Sequence, residues 1–96
     1  MRLSTEQINL IRTQVQTRFG ASSRVWLFGS RVDDARRGGD VDLYIEPQTE
    51  VTPWQEAELR VQLQDSLRLP VDTVVALQPN DPRPMCRIAR LTGVAL

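Results

Sequence analysis

A chain of 96 residues with twelve cationic and twelve anionic side chains carries no net charge, which argues against general nucleic-acid binding, where a basic excess is the rule. Histidine is absent, so Ser-His-Asp hydrolysis, Cys-His proteolysis and histidine-based zinc sites are excluded, and any chemistry must rest on carboxylates, hydroxyls, arginine and metal. One cysteine, Cys86, forms no internal disulfide, and no apolar run approaches the ~20 residues of a membrane span, so one soluble cytoplasmic domain over 1–96 is expected.

Ser4-Thr5-Glu6-Gln7 reads as a helix start, with Ser4 as cap and Gln7 reaching back. Ile8, Ile11, Val15 and Phe19 then form one apolar stripe, and Gly20 closes the helix. Arg24 to Phe28 is a short apolar strand without a polar face, expected to be central and buried. Gly29-Ser30 breaks it, and the polar segment 31–39 is a loop. From Asp40 to Glu46 the chain alternates: Val41, Leu43 and Ile45 point one way, and Asp40, Asp42, Tyr44 and Glu46 the other. Pro47 stops this strand.

Thr52-Pro53-Trp54-Gln55 combines a cap, a first-turn proline and a capping-box glutamine, so a second helix starts there. Leu59, Leu63 and Leu67 line its buried face, Pro70 ends it, and Val71 to Leu77 is a third strand. Asp81-Pro82 opens a last short helix with Ile88 and Leu91 expected inward, and Gly93 leads to an apolar tail. The order α-β-β-α-β-α implies an α/β (α+β) domain, a small mixed sheet flanked by helices.

Three features carry chemistry. Asp40 and Asp42, two apart on a strand, share a face, and two adjacent bare carboxylates repel each other. A hard divalent cation removes that conflict: Mg²⁺ favours one or two carboxylates with phosphate oxygens and water, and two such ions can clamp an in-line displacement. Asp72 interrupts an apolar strand, where an unpaired charge is costly; a place beside the metal explains it and lets it take a hydroxyl proton. Glycine at Gly29 allows close backbone approach to a phosphate, the turn N–H groups and the Ser30 hydroxyl are donors, and Arg31 offers a guanidinium fork.

At these residues the chain resembles the polymerase β-type nucleotidyltransferases, which carry Gly-Ser, a spacer, Asp-x-Asp and a third acid on a later strand. The matching stretch is LFGSRVDDARRGGDVDLYIE, residues 27–46, with a nine-residue spacer, followed by PVDTVV, residues 70–75. Chain length and the ending IARLTGVAL resemble the stand-alone minimal nucleotidyltransferases. The resemblance implies a polymerase β-like fold. It also implies Asp40 and Asp42 as Mg²⁺ ligands, Asp72 as third carboxylate and base, and Gly29, Ser30 and Arg31 as contacts to the nucleotide triphosphate. It further implies two Mg²⁺ ions, ATP as substrate, and a HEPN-type toxin partner whose tyrosine receives AMP, which makes the chain an antitoxin and a protein adenylyltransferase.

Each residue also has a plainer reading. Gly-Ser alone is common in loops, and Asp-x-Asp alone caps or solvates a strand edge; the spacing together with Asp72 is what carries weight. Asp72 also suits a structural ion pair with an arginine. Asp33 and Asp34 suit turns, Arg36 and Arg37 solvated loop charge, and Tyr44 and Glu46 flanking structure with Glu46 a positioning candidate. Trp54 suits partner surface or partial core, and Cys86 a buried idle thiol. At 96 residues the acceptor pocket is expected from a partner or from a homo-oligomer. The alternatives to an enzyme are a binding module that neutralises its partner by occupying it, and a nucleotide sensor without turnover.

Overall fold

The computed structural model describes residues 3–28, 41–78 and 80–96. Helix α1 spans Thr5–Phe19 and begins with the capping box read from sequence. The Ser4 hydroxyl accepts the Gln7 N–H at 3.1 Å, and Gln7 Oε1 accepts the Ser4 N–H at 2.7 Å. Gly20 caps its end at φ 113°, a region that L side chains avoid. A Cβ there would also collide with the side chain of Gln48, whose Oε1 is held by the Ser22 N–H at 2.9 Å.

Strand β1 (Arg24–Phe28) runs antiparallel to β2 (Val41–Glu46). Helix α2 (Pro53–Leu67) then carries the chain over one face to β3 (Val71–Val75), which pairs parallel with β2. Thr52 and Gln55 form a second capping box, with Pro53 in the first turn. The helix ends at Arg68, whose left-handed φ of 57° turns the chain one step before the Leu69-Pro70 pair. Helix α3 (Pro84–Thr92) crosses the other face, and a two-residue strand β4 (Val94–Ala95) returns antiparallel to β1. The sheet order is β3-β2-β1-β4, a mixed sheet in an α+β fold.

Two cores follow from the alternation. Val25, Leu27, Val41, Leu43, Ile45 and Val71 face α1 and α2, where Ile11, Val15, Phe19, Leu59, Leu63 and Leu67 cover them. Each fully buried leucine here contributes about 1.5–3 kcal/mol over an exposed one. On the opposite face Trp26 and Tyr44 pack with Ala76, Cys86 and Ala89, with Phe28 and Val74 at the margin. The two rings stand 5.2 Å apart at 41°.

Three expectations need correction. Ile88 and Leu91 do not point inward: they are exposed, and Cys86 and Ala89 face the sheet. Trp26 and Tyr44 take up the volume under the middle of α3, where the small Cys86 and Ala89 pack against them. The third strand ends at Val75, not Leu77, because Asp81 takes the Leu77 N–H at 2.9 Å and Arg83 Nη2 donates to the Val75 carbonyl at 2.8 Å. The tail after Gly93 is strand β4, continued by a Leu96 N–H to the Val25 carbonyl at 3.0 Å. That pairing places β1 in the sheet interior, as its apolar sequence required.

Candidate active site

The two described acids of the motif come together through strand register. Asp42 lies directly opposite Asp72 across the parallel β2–β3 pair, and directly opposite Phe28 across the antiparallel β1–β2 pair. Opposed residues share a face, so Phe28, Asp42 and Asp72 form a row across three strands. Tyr44 and Val74, two residues further along, belong to the α3-side core, which fixes the row on that face. Local sequence explains the placement: Val41 and Val71 are buried on the α1–α2 side, so their neighbours must turn the other way.

Asp72 is exposed, and Asp42 is half-buried and has an interaction partner. The cost of burying an unpaired charge therefore does not explain Asp72, because water reaches it. Among the described residues Asp72 has no ion-pair partner, so the structural ion pair finds no support there. Gly29, Ser30, Arg31 and Asp40 lie outside the described residues, as do Asp33, Asp34, Arg36 and Arg37. Phe28 is the last described residue before segment 29–40, and Asp42 is the second after it. Among the described residues no three acidic or thiol groups gather as a metal cluster. The pair that is described consists of hard carboxylate oxygens on adjacent strands, a donor set that suits Mg²⁺.

A second polar group ties the face together. Tyr44 is fully buried, yet its hydroxyl donates to Glu46 Oε2 at 2.8 Å and accepts from Arg90 Nη1 at 2.8 Å. Arg90 also lies 3.7 Å from Glu46 Oε2 and donates to the Asp81 carbonyl at 2.9 Å. Burial, then the bond to Glu46, push the Tyr44 phenol up to about 12. Tyr44 and Glu46 are thus structural neighbours of the acids. Asp81, almost wholly buried, accepts from the Leu77 N–H and from the Arg83 backbone and side chain. Its carboxyl falls to about 2, chiefly through Arg83. Burial raises the thiol of Cys86, which suits an idle core side chain. Sequence reasoning passed over Arg90. Its signal was its spacing four residues after Cys86, which puts a charge on the inward face of a short helix.

A small mixed sheet with two helices on one face, one on the other, and acids in register at a strand edge defines the class of fold. No family model matches the chain, and no curated protein matches it. Among solved structures it is similar to a chain in the crystal structure of the toxin-antitoxin MntA-HpeT, a mutant form. The TM-score is 0.68 at 19% identity, covering 98% of this chain and 71% of that one. At that identity the likeness shows a shared fold. No helix among the described residues is long and apolar enough to cross a membrane.

Proposed function

We propose that this chain is a nucleotidyltransferase that moves AMP from ATP to a hydroxyl, the tyrosine of a HEPN-type toxin partner, and so acts as an antitoxin. The observation that carries the reading is the register of Asp42 opposite Asp72, beside the strand end from which Gly29-Ser30 continues. The similar solved structure is that of a toxin-antitoxin, which agrees with this role.

In the proposed reaction the acceptor oxygen forms a bond to the α-phosphorus of ATP, the bond to the β-phosphate bridge breaks, and pyrophosphate leaves. The hydroxyl proton passes to a carboxylate, and Asp72, being exposed, is open to an incoming acceptor. Asp42 and Asp72, with Asp40, would hold Mg²⁺, which supplies charge neutralisation at the phosphates. Gly29, Ser30 and Arg31 would contact the triphosphate. The buried Tyr44–Arg90 contact anchors α3 to β2 behind the acids.

The test is calorimetric titration with ATP and Mg²⁺ of the wild-type protein and of a folded Asp42→Asn/Asp72→Asn variant. Metal-dependent binding that disappears in the variant supports the site. Transfer of label from ATP to a tyrosine-bearing acceptor, lost in the same variant, supports the reaction. Millimolar nucleotide without binding would overturn the reading in favour of a partner-occupying module.

A further inference from the structure

Helix α3 is amphipathic in an inverted sense. Its small residues Cys86 and Ala89 lie on the sheet, while Met85, Ile88 and Leu91 stand outward at 55%, 56% and 79% exposure. The spacing of three puts these side chains in one stripe along the helix. Val94, 48% exposed, continues the apolar surface onto the edge strand β4. Scattered exposed apolar residues are ordinary, but a contiguous stripe on one helix marks a contact surface.

Charge says what kind of contact. From Arg83 to Thr92 the helix and its cap contain Arg83, Arg87 and Arg90 and no acid. Arg90 is turned in toward Tyr44 and Glu46, and Arg83 is paired with Asp81. Arg87 is exposed and has no ion-pair partner among the described residues. Arg87 thus sets beside the stripe a cationic charge that no described residue compensates. A two-fold pairing of α3 on α3 would bring the Arg87 of one copy toward that of the other, which like charge disfavours.

Position links the stripe to the acids. The helix ends at Gly93, where a Cβ would collide with the Ala89 carbonyl, crowd the Leu27 carbonyl and lie in contact with the Phe28 side chain, and Phe28 is the residue opposite Asp42. A body lying along α3 toward its C-terminal end therefore arrives at Phe28, the near end of the row that runs on through Asp42 to Asp72.

We infer that the outward face of α3, with Val94, is the docking surface for a partner protein's amphipathic helix, apolar along its centre and acidic at its rim, which delivers the acceptor hydroxyl to Asp42 and Asp72. The delivery rests on the transfer reading above; the docking does not. The mode is helix against an apolar face, read by residues three and four apart. The apolar stripe forms the centre of the contact and Arg87 its charged rim.

The probe is a synthetic peptide of about 18 residues, long enough to hold some helix alone, with a leucine stripe, glutamates on both flanks and one terminal tyrosine. A twin carries lysines in place of the glutamates. Calorimetry without nucleotide should show the glutamate peptide binding at least tenfold more tightly than the lysine twin. Ile88→Glu/Leu91→Glu should weaken it at least tenfold, Arg87→Glu should reverse the preference between the twins, and Trp54→Glu, on the far side of the fold, should change nothing. Equal affinity for the twins, no binding at millimolar peptide, or equal loss with Trp54→Glu would overturn the docking. So would wild-type self-association through this face in sedimentation, or binding to phosphatidylserine vesicles abolished by Ile88→Glu/Leu91→Glu.

With Mg²⁺ and labelled ATP, the terminal tyrosine should gain label on wild-type protein and at least tenfold less on Ile88→Glu/Leu91→Glu, which should keep its nucleotide binding. A wild-type protein that binds peptide but not nucleotide refutes the transfer reading and leaves the docking standing. One that binds nucleotide but not peptide does the reverse.

Discussion

Asp72→Asn reads the candidate site through stability, before any acceptor is known. Asp42 and Asp72 are opposed residues on neighbouring strands, and such strands lie about 4.8 Å apart. Two unit charges about 5 Å apart in a water-like dielectric repel by about 0.8 kcal/mol, in line with the penalty of up to about 1 kcal/mol for like charges directly opposed in a sheet. In metal-free buffer at low salt Asp72→Asn should therefore melt about 3–6 °C higher than wild type, given roughly 4–8 °C per kcal/mol for a domain of this size. The gain should shrink at about 1 M salt, where the screening length falls to about 3 Å. Mg²⁺ should invert the order. An ion held by wild type with a dissociation constant of about 1 mM adds about 1.4 kcal/mol at about 10 mM, roughly 6–11 °C, and the variant should lose most of that. Differential scanning fluorimetry suffices, with Asp65→Asn on the exposed side of α2 as the charge-matched control. A variant no more stable than wild type without metal, or one stabilised equally by Mg²⁺, would refute the argument that these carboxylates share one ion.

Leu63→Ala removes a fully buried side chain from the core between α2 and the sheet and should cost about 2–5 kcal/mol, read as a lower urea midpoint. Tyr44 is the only tyrosine, so absorbance at alkaline pH reports it alone. Its midpoint should fall near 12 in the folded protein against 10.0 unfolded, and because the folded value is raised, its stabilisation is complete below 10.0 and is lost as pH rises toward 12. For Asp81 the sign is opposite: its folded value of about 2 lies below 3.8, so its contribution is complete above about pH 4 and disappears as pH falls through 2. Asp81→Ala should accordingly lower the melting temperature at neutral pH, with the difference from wild type closing near pH 2.

Much of the fold was legible because local signals and tertiary demands agreed. Ser4 with Gln7, and Thr52 with Pro53 and Gln55, announce helices whose capping bonds are all formed. The alternation from Val41 to Glu46 separated the two cores correctly, and the leucines 59, 63 and 67 are all buried. What failed was decided by distant contacts. Size favoured Ile88 and Leu91 as core, but Trp26 and Tyr44 occupy the space beneath α3 and the small Cys86 and Ala89 pack on them. Strand β4 is two residues long and exists only through its pairing with β1, which no local pattern announces. Trp54, weighed as surface or core, stands on the surface at 74% exposure. In the candidate site, chemistry named Asp42 and Asp72, while their mutual placement came from the parallel register, a property of the β2-α2-β3 crossover. Gly29, Ser30, Arg31 and Asp40 stand as proposals on motif and spacing.

The same register makes the site sensitive to the length of the chain between its two halves. Because side chains alternate along a strand, sliding β3 by one residue would place Thr73 or Val71 opposite Asp42 and turn Asp72 toward the side now filled by Leu59 and Leu63. The hydrophobic pattern thus works as a proofreading device for the acids: only the alignment that buries Val71 leaves both carboxylates on one side. A single residue inserted in the short α2–β3 turn would set these demands against each other. Such an insertion should silence the site without touching any of its residues, and shifting the α2 cap to restore the phase should bring it back.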